Sequence, residues 1–101
     1  MRNAECGIRN ERGFCMDNDL KQRTKLFALR IIRLCESLPN TRIGNVINNQ
    51  LLRCGTSVGA NYRAACRARS VAEFIAKMGV VEEECDESIY WMELIIAAEL
   101  L

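Results

Sequence analysis

From Asp19 onward the apolar residues of this chain recur with a helical period, and before it they do not. Leu20, Phe27, Ile31, Leu34 and Leu38 stand at three- to four-residue multiples, with Lys21, Arg23, Lys25, Arg30 and Arg33 mostly on other faces, the pattern of an amphipathic helix. Pro39, the only proline, and Asn40 end it, because the residue before a proline is pushed out of helical geometry. Thr41 can cap a second helix, from about Arg42 to Arg67 or Ala68, with Ile43, Ile47, Leu51, Cys54, Val58, Asn61 and Ala65 on one stripe. Gly55 and Gly59 lie inside it, and each costs about 1 kcal/mol relative to alanine. Four residues apart, they share a face, so close contact with another helix is the simplest compensation; a break between them is the rival reading. Ser70 followed by Glu73 is a capping box and opens a third helix, with an inner stripe of Val71, Phe74, Ile75, Met78, Cys85, Ile89, Met92 and Ile96.

The fold class this predicts is all-α: three long helices joined by short turns, packed as an antiparallel up-and-down bundle. Residues 1–18, with Gly7, Gly13 and scattered charges but no period, read as a flexible N-terminal tail, and residues 19–101 as the helical-bundle domain. At 101 residues there is room for one core and no second domain. Leu94, Ile95, Ile96, Leu100 and Leu101 bring more apolar surface than three helices easily cover, which implies a partner surface.

The net charge of +1 hides a lopsided distribution. Residues 1–69 hold 13 Lys and Arg against 5 Asp and Glu, a balance of +8, and residues 70–101 hold 1 against 8, a balance of −7. Such opposition is either consumed as ion pairs between helices or subunits, or leaves a basic face for an acidic partner such as nucleic acid. Six cysteines, at 6, 15, 35, 54, 66 and 85, match neither a zinc site nor a CxxC motif; four of them fall inside helical patterns, which suggests small, apolar, reduced side chains. The polar N-terminal stretch lacks the core of a signal peptide, and no apolar run approaches a membrane span, so the expected setting is soluble and cytoplasmic.

Three groups of residues can carry chemistry. Glu82, Glu83, Glu84, Asp86 and Glu87 form an acidic cluster in which Glu84 and Glu87 share a helical face, but a di-metal bundle site wants histidines and the chain has none. No nucleophile stands beside them in a recognisable pattern; neither catalysis nor a metal or other cofactor is expected. Tyr90 and Trp91 are adjacent, point about 100 degrees apart and so take different roles, one in the core and one at a rim. Arg63, Arg67, Arg69 and Lys77 are the candidates for nucleic-acid binding, by charge and shape, possible reinforcement coming from the basic residues of the first helix. Arg53, Asn61, Glu84 and Glu87 are the candidates for a structural polar network, with Arg53 pairing to the carboxylates.

The segments LFALRIIRL, QLLRCGTSVGANYRAA and SVAEFIAKMGVVEEECDESIYWMELI resemble the bacterial four helix bundle protein family, which includes proteins encoded in intervening sequences of 23S ribosomal RNA genes. The family is similar to the accessory variability determinants of diversity-generating retroelements. The resemblance covers about Leu26 to Leu101. It implies an up-and-down bundle assembled as a homopentameric ring without enzymatic activity; in the retroelement relatives the ring has a basic surface for nucleic acid and the reverse transcriptase. The motif positions on this chain are Arg53, Gly55, Thr56, Ser57, Gly59, Ala60 and Asn61, then Glu84, Glu87, Tyr90 and Trp91, and they look like packing and interhelical polar positions. Family members usually continue with a turn and a fourth helix, whereas this chain ends at AAELL, so a shortened protein or a truncated reading frame is expected. The function expected is that of a non-enzymatic, oligomeric bundle protein binding RNA or DNA through a basic surface; the alternative is a purely structural oligomer or adaptor that spends its arginines on ion pairs.

Overall fold

The computed structural model describes residues 18–101, so the tail expected over residues 1–18 lies almost wholly outside the described residues. Three helices follow one another: α1 (Asp19–Ser37), α2 (Arg42–Cys66) and α3 (Val71–Ala97). Each boundary has a local cause. Leu38, before Pro39, is extended and ends α1, as the proline requires. Thr41 is extended and its hydroxyl accepts the Gly44 N–H at 3.0 Å, satisfying a donor that the first turn of α2 would otherwise orphan. Ser70 does the same for the Glu73 N–H at 3.0 Å. The Glu73 carboxylate closes the cap by accepting the N–H of Arg69 at 2.7 Å, one residue earlier than the usual box. At the far end of α3, Glu99 takes φ 55 and the Leu100 N–H reaches back to Ile95 O at 3.1 Å, a Schellman-type closure with glutamate where glycine is usual.

The helices run antiparallel, with α2 in the middle. α2 packs against both neighbours, whereas α1 and α3 make no backbone approach to each other. The result is a flattened array of 48 × 28 × 16 Å. Its core has two parts. Ile31 and Cys35 of α1, and Leu38 just after it, meet Ile47, Leu51 and Cys54 of α2 and Ile95 of α3, with Trp91 and Met92 against them. Val58, Tyr62 and Cys66 of α2 meet Val81 of α3 in the second.

α2 is unbroken across Gly55 and Gly59, and both glycines face α1. A β-carbon at Gly59 would meet Thr24 Oγ1 at 3.0 Å, and at Gly55 the crowding comes from Ile31. The glycines therefore set how closely α1 lies on α2.

Two stripes differ from expectation. Ile43 is exposed, and Tyr62, absent from the expected stripe of α2, is buried. The larger correction concerns α3, where Val71, Ile75, Ile89 and Ile96 are exposed and the most deeply buried positions are Val81, Ser88 and Ile95, while Met78, Cys85 and Met92 of the expected stripe are half-buried against the core. Val81, Ser88 and Ile95 are seven residues apart, a second helical stripe about a quarter-turn from the expected one. α3 is apolar around most of its circumference, so periodicity alone admits either phase; contact with α2 selects the one whose small Ser88 lets the helices approach.

Candidate functional site

The arginines of α2 divide into one that is engaged and others that are not. Arg53 Nη2 donates to Glu87 Oε2 at 2.6 Å and Nη1 to Glu84 Oε1 at 3.4 Å, joining α2 to α3 by a charge-assisted fork. Trp91 Nε1 donates to the same Glu87 oxygen at 3.4 Å. The Arg53 hydrogen bond is the main reason that the Glu87 carboxyl is held below its ordinary range, with the Trp91 hydrogen bond second. Arg53 is in turn held more firmly protonated, chiefly by its hydrogen bond to Glu87. The pair is partly exposed, which limits what it adds to stability.

Asn61 does not join this network. Its amide donates to Ser57 O at 2.8 Å, one turn back on its own helix. The polar residue that does bridge α2 and α3 is Ser88, fully buried, whose hydroxyl donates to Glu84 O at 2.8 Å while lying 3.3 Å from Cys54 Sγ. A serine within an acidic run carries no periodic signal, which is why the sequence does not mark it.

Arg63 and Arg67 are exposed and make no ion pair among the described residues. Arg63 lines a groove of about 290 Å³ between α1 and α2, with Thr24, Lys25, Ala28, Thr56, Gly59 and Ala60. The groove exists because Gly59, Ala60 and Ala28 have little or no side chain. It holds two cations and no carboxylate. Lys25 is thus brought to Arg63 from the other helix, a residue that helical spacing on α2 could not reveal. Arg67 is the C-cap of α2, one turn beyond Arg63. Arg69 stands in the turn before α3, and Lys77 on α3; neither lines this groove. Of the four expected binding residues only Arg63 lines the groove, where it is joined by Lys25, with Arg67 one turn further along the chain.

The acidic run is also divided. Glu84 and Glu87 turn to Arg53, whereas Glu82 and Asp86 are exposed. Among the described residues no three Asp, Glu, His or Cys side chains converge as a metal ion would need. Tyr90 is exposed and Trp91 half-buried, their rings 5.3 Å apart and edge to face, so they do take different roles. Cys35, Cys54 and Cys85 are free thiols; Cys66, contrary to the expectation of reduced side chains, is disulfide-bonded. No helix among the described residues is long and apolar enough to cross a membrane.

Residues 16–101 match the family described as 23S rRNA-intervening sequence protein. The chain belongs to this family. The resemblance carried by the glycine run of α2 and the Tyr90–Trp91 segment of α3 is borne out, over a slightly longer stretch than those motifs span. Among solved structures, similarity extends to a protein of unknown function from the S23 ribosomal protein family of Bacteroides thetaiotaomicron, whose crystal structure is known at 1.70 Å. It has 41% sequence identity and a TM-score of 0.75, covering 81% of this chain and 76% of that one. No curated protein matches. In this intervening-sequence family member, then, the glycines shape an α1–α2 seam that also opens the cationic groove, and the α2–α3 seam is closed by Arg53.

Proposed function

We propose that this protein is a non-enzymatic, self-associating helical protein that binds nucleic acid through the outer face of α1 and α2. The observation that carries the reading is the groove between Lys25 and Arg63: two cations, no carboxylate in its lining, and no ion pair for either among the described residues. Uncompensated, exposed cations are what a phosphate backbone recognises, and neutralising phosphates releases counterions. Backbone contacts position a strand without reading its sequence, and nothing in the groove offers a base-specific set. Membership of the similar solved structure in the S23 ribosomal protein family supports RNA as the polyanion.

A specific observation favours the structural alternative for one residue only. Arg53 is spent on Glu84 and Glu87, as an adaptor or purely structural oligomer would use it. Arg63 and Lys25 are not. Fluorescence anisotropy with a labelled single-stranded RNA and a duplex DNA of equal length tests the reading. The triple variant K25A/R63A/R67A should bind at least tenfold more weakly than wild type, while loss of Arg42, on the same helix but outside the groove, costs much less. Equal binding by wild type and the triple variant would leave the adaptor reading.

A further inference from the structure

Cys66 is disulfide-bonded, and few partners remain for it. Cys35, Cys54 and Cys85 are free thiols, so of the six cysteines in the chain only Cys6 and Cys15 can supply the other sulfur. Both lie outside the described residues. The antiparallel packing of α1 on α2 chooses between them. Thr24 faces Gly59, and counting residue for residue away from that level sets Asn18 beside Ala65, one position from Cys66. Packed helix axes stand about 8 to 10 Å apart, and the three residues from Asn18 back to Cys15 span at most about 10 Å. Cys15 can therefore come within the Cα separation of about 4 to 7 Å that a disulfide needs. Cys6 stands twelve residues from Asn18 instead of three. Local concentration falls as about the −3/2 power of tether length, so that of Cys6 at Cys66 is roughly eightfold lower.

We propose that Cys66 is bonded to Cys15 of the same chain, and that this bond is a redox-operated clamp on the N-terminal half of α1. The proposal goes beyond the functional reading above and stands whether or not the groove binds RNA. The buried residues of α1 are Ile31 and Cys35, both in its C-terminal half. Over residues 19–27 no side chain is buried, and Leu20 and Leu26 are 40% and 56% exposed. Thr24 against Gly59 and the half-buried Phe27 supply the packing there. A helix end with so little burial opens locally at low cost.

A bond three residues before Asn18 ties that end of α1 to α2 where packing is thinnest. The anchor itself is firm, because Cys66 is 6% exposed and packed among Val58, Tyr62 and Val81. The clamped stretch includes Thr24 and Lys25, one wall of the groove that Arg63 lines, so oxidation state sets how firmly that wall is held. Closure is an exchange reaction. The thiolate of one cysteine attacks a low-molecular-weight disulfide, such as oxidised glutathione, and expels one thiolate; the other cysteine then attacks the protein sulfur of the mixed disulfide and expels the second. The two protein thiols give up two electrons and two protons, and the small disulfide becomes two thiols.

Trypsin separates the three cysteines at issue: residues 3–9 carry Cys6, residues 13–21 carry Cys15 and residues 64–67 carry Cys66. The full chain, equilibrated with oxidised glutathione, blocked with iodoacetamide and digested without reduction, should show peptide 13–21 joined to peptide 64–67 in mass spectrometry. The joined pair should vanish with a reductant. Hydrogen exchange on the intact chain reads the clamp. Amides of residues 19–27 should exchange at least tenfold faster after reduction, and in Cys15→Ser, than in oxidised wild type, while Cys6→Ser keeps the wild-type rate. A link from peptide 64–67 to peptide 3–9, a link between two chains, or Cys66 alkylated as a free thiol would overturn the proposal. So would amides of residues 19–27 that exchange alike in the oxidised, reduced and Cys15→Ser forms.

Discussion

A β-carbon placed on Gly55 would sit 2.8 Å from Cγ2 and 2.9 Å from Cγ1 of Ile31, closer than packed carbon atoms approach. Ile31 is buried and branched at Cβ, so it has few rotamers with which to retreat. Alanine at position 55 should therefore lower stability by about 1 to 2 kcal/mol, the overpacking cost exceeding the gain in helix propensity. Gly79, on α3, has nothing within 4 Å of the same construction, and there alanine should add about 1 kcal/mol. Urea midpoints of the two variants, measured together, should move in opposite directions. Movement in the same direction would mean that the α1–α2 seam is not set by the glycine.

The link between Arg53 and Glu87 makes stability fall in acid. Because the folded state holds the Glu87 carboxyl below its ordinary range, its contribution is present above the unfolded carboxylate pKa and is lost as the pH falls through the lower, folded value. Wild type should lose stability progressively below about pH 4.3, the ordinary glutamate range, and Glu87→Gln should flatten that part of the profile. Arg53→Gln should flatten it similarly, and combining the two should add little. Two singles that retain the full wild-type acid slope would show that this pair contributes nothing.

Cys85 should react slowly with alkylating reagents at neutral pH. Partial burial pushes its thiol up, and the neighbouring Asp86 and Glu82 carboxylates push the same way, so the reactive thiolate forms only above the ordinary thiol range. Its rate should rise with pH later than that of a free cysteine. Charge removal at Asp86 and Glu82 should bring part of the reactivity back, whereas Cys54, fully buried, should react only on unfolding.

The extent to which sequence reveals this molecule follows the strength of each local signal. Pro39, Thr41 and Ser70 act within one turn, and the helix boundaries they imply are those found. Gly55 and Gly59 mark a close contact because glycine inside a helix needs a compensating cause. The face of α3 is not legible in the same way. Ile89 and Ile96 repeat as regularly as Val81, Ser88 and Ile95, and only the packed partner distinguishes the two stripes. The binding residues are half-legible for a related reason: Arg63 and Arg67 share a face by spacing, but Lys25 reaches Arg63 only through the packing of α1 on α2, while Arg69 and Lys77 are close in sequence yet lie outside the groove.

The salt dependence of RNA binding tests the central claim most directly. Titrating a labelled single-stranded RNA with wild type across ionic strengths should give a log-log slope of about −2, as expected if roughly three phosphates are neutralised at about −0.7 per contact. The slope should fall towards zero in K25A/R63A/R67A. A wild-type slope near zero, or a triple variant with the wild-type slope and affinity, would contradict a phosphate-binding role for the α1–α2 face.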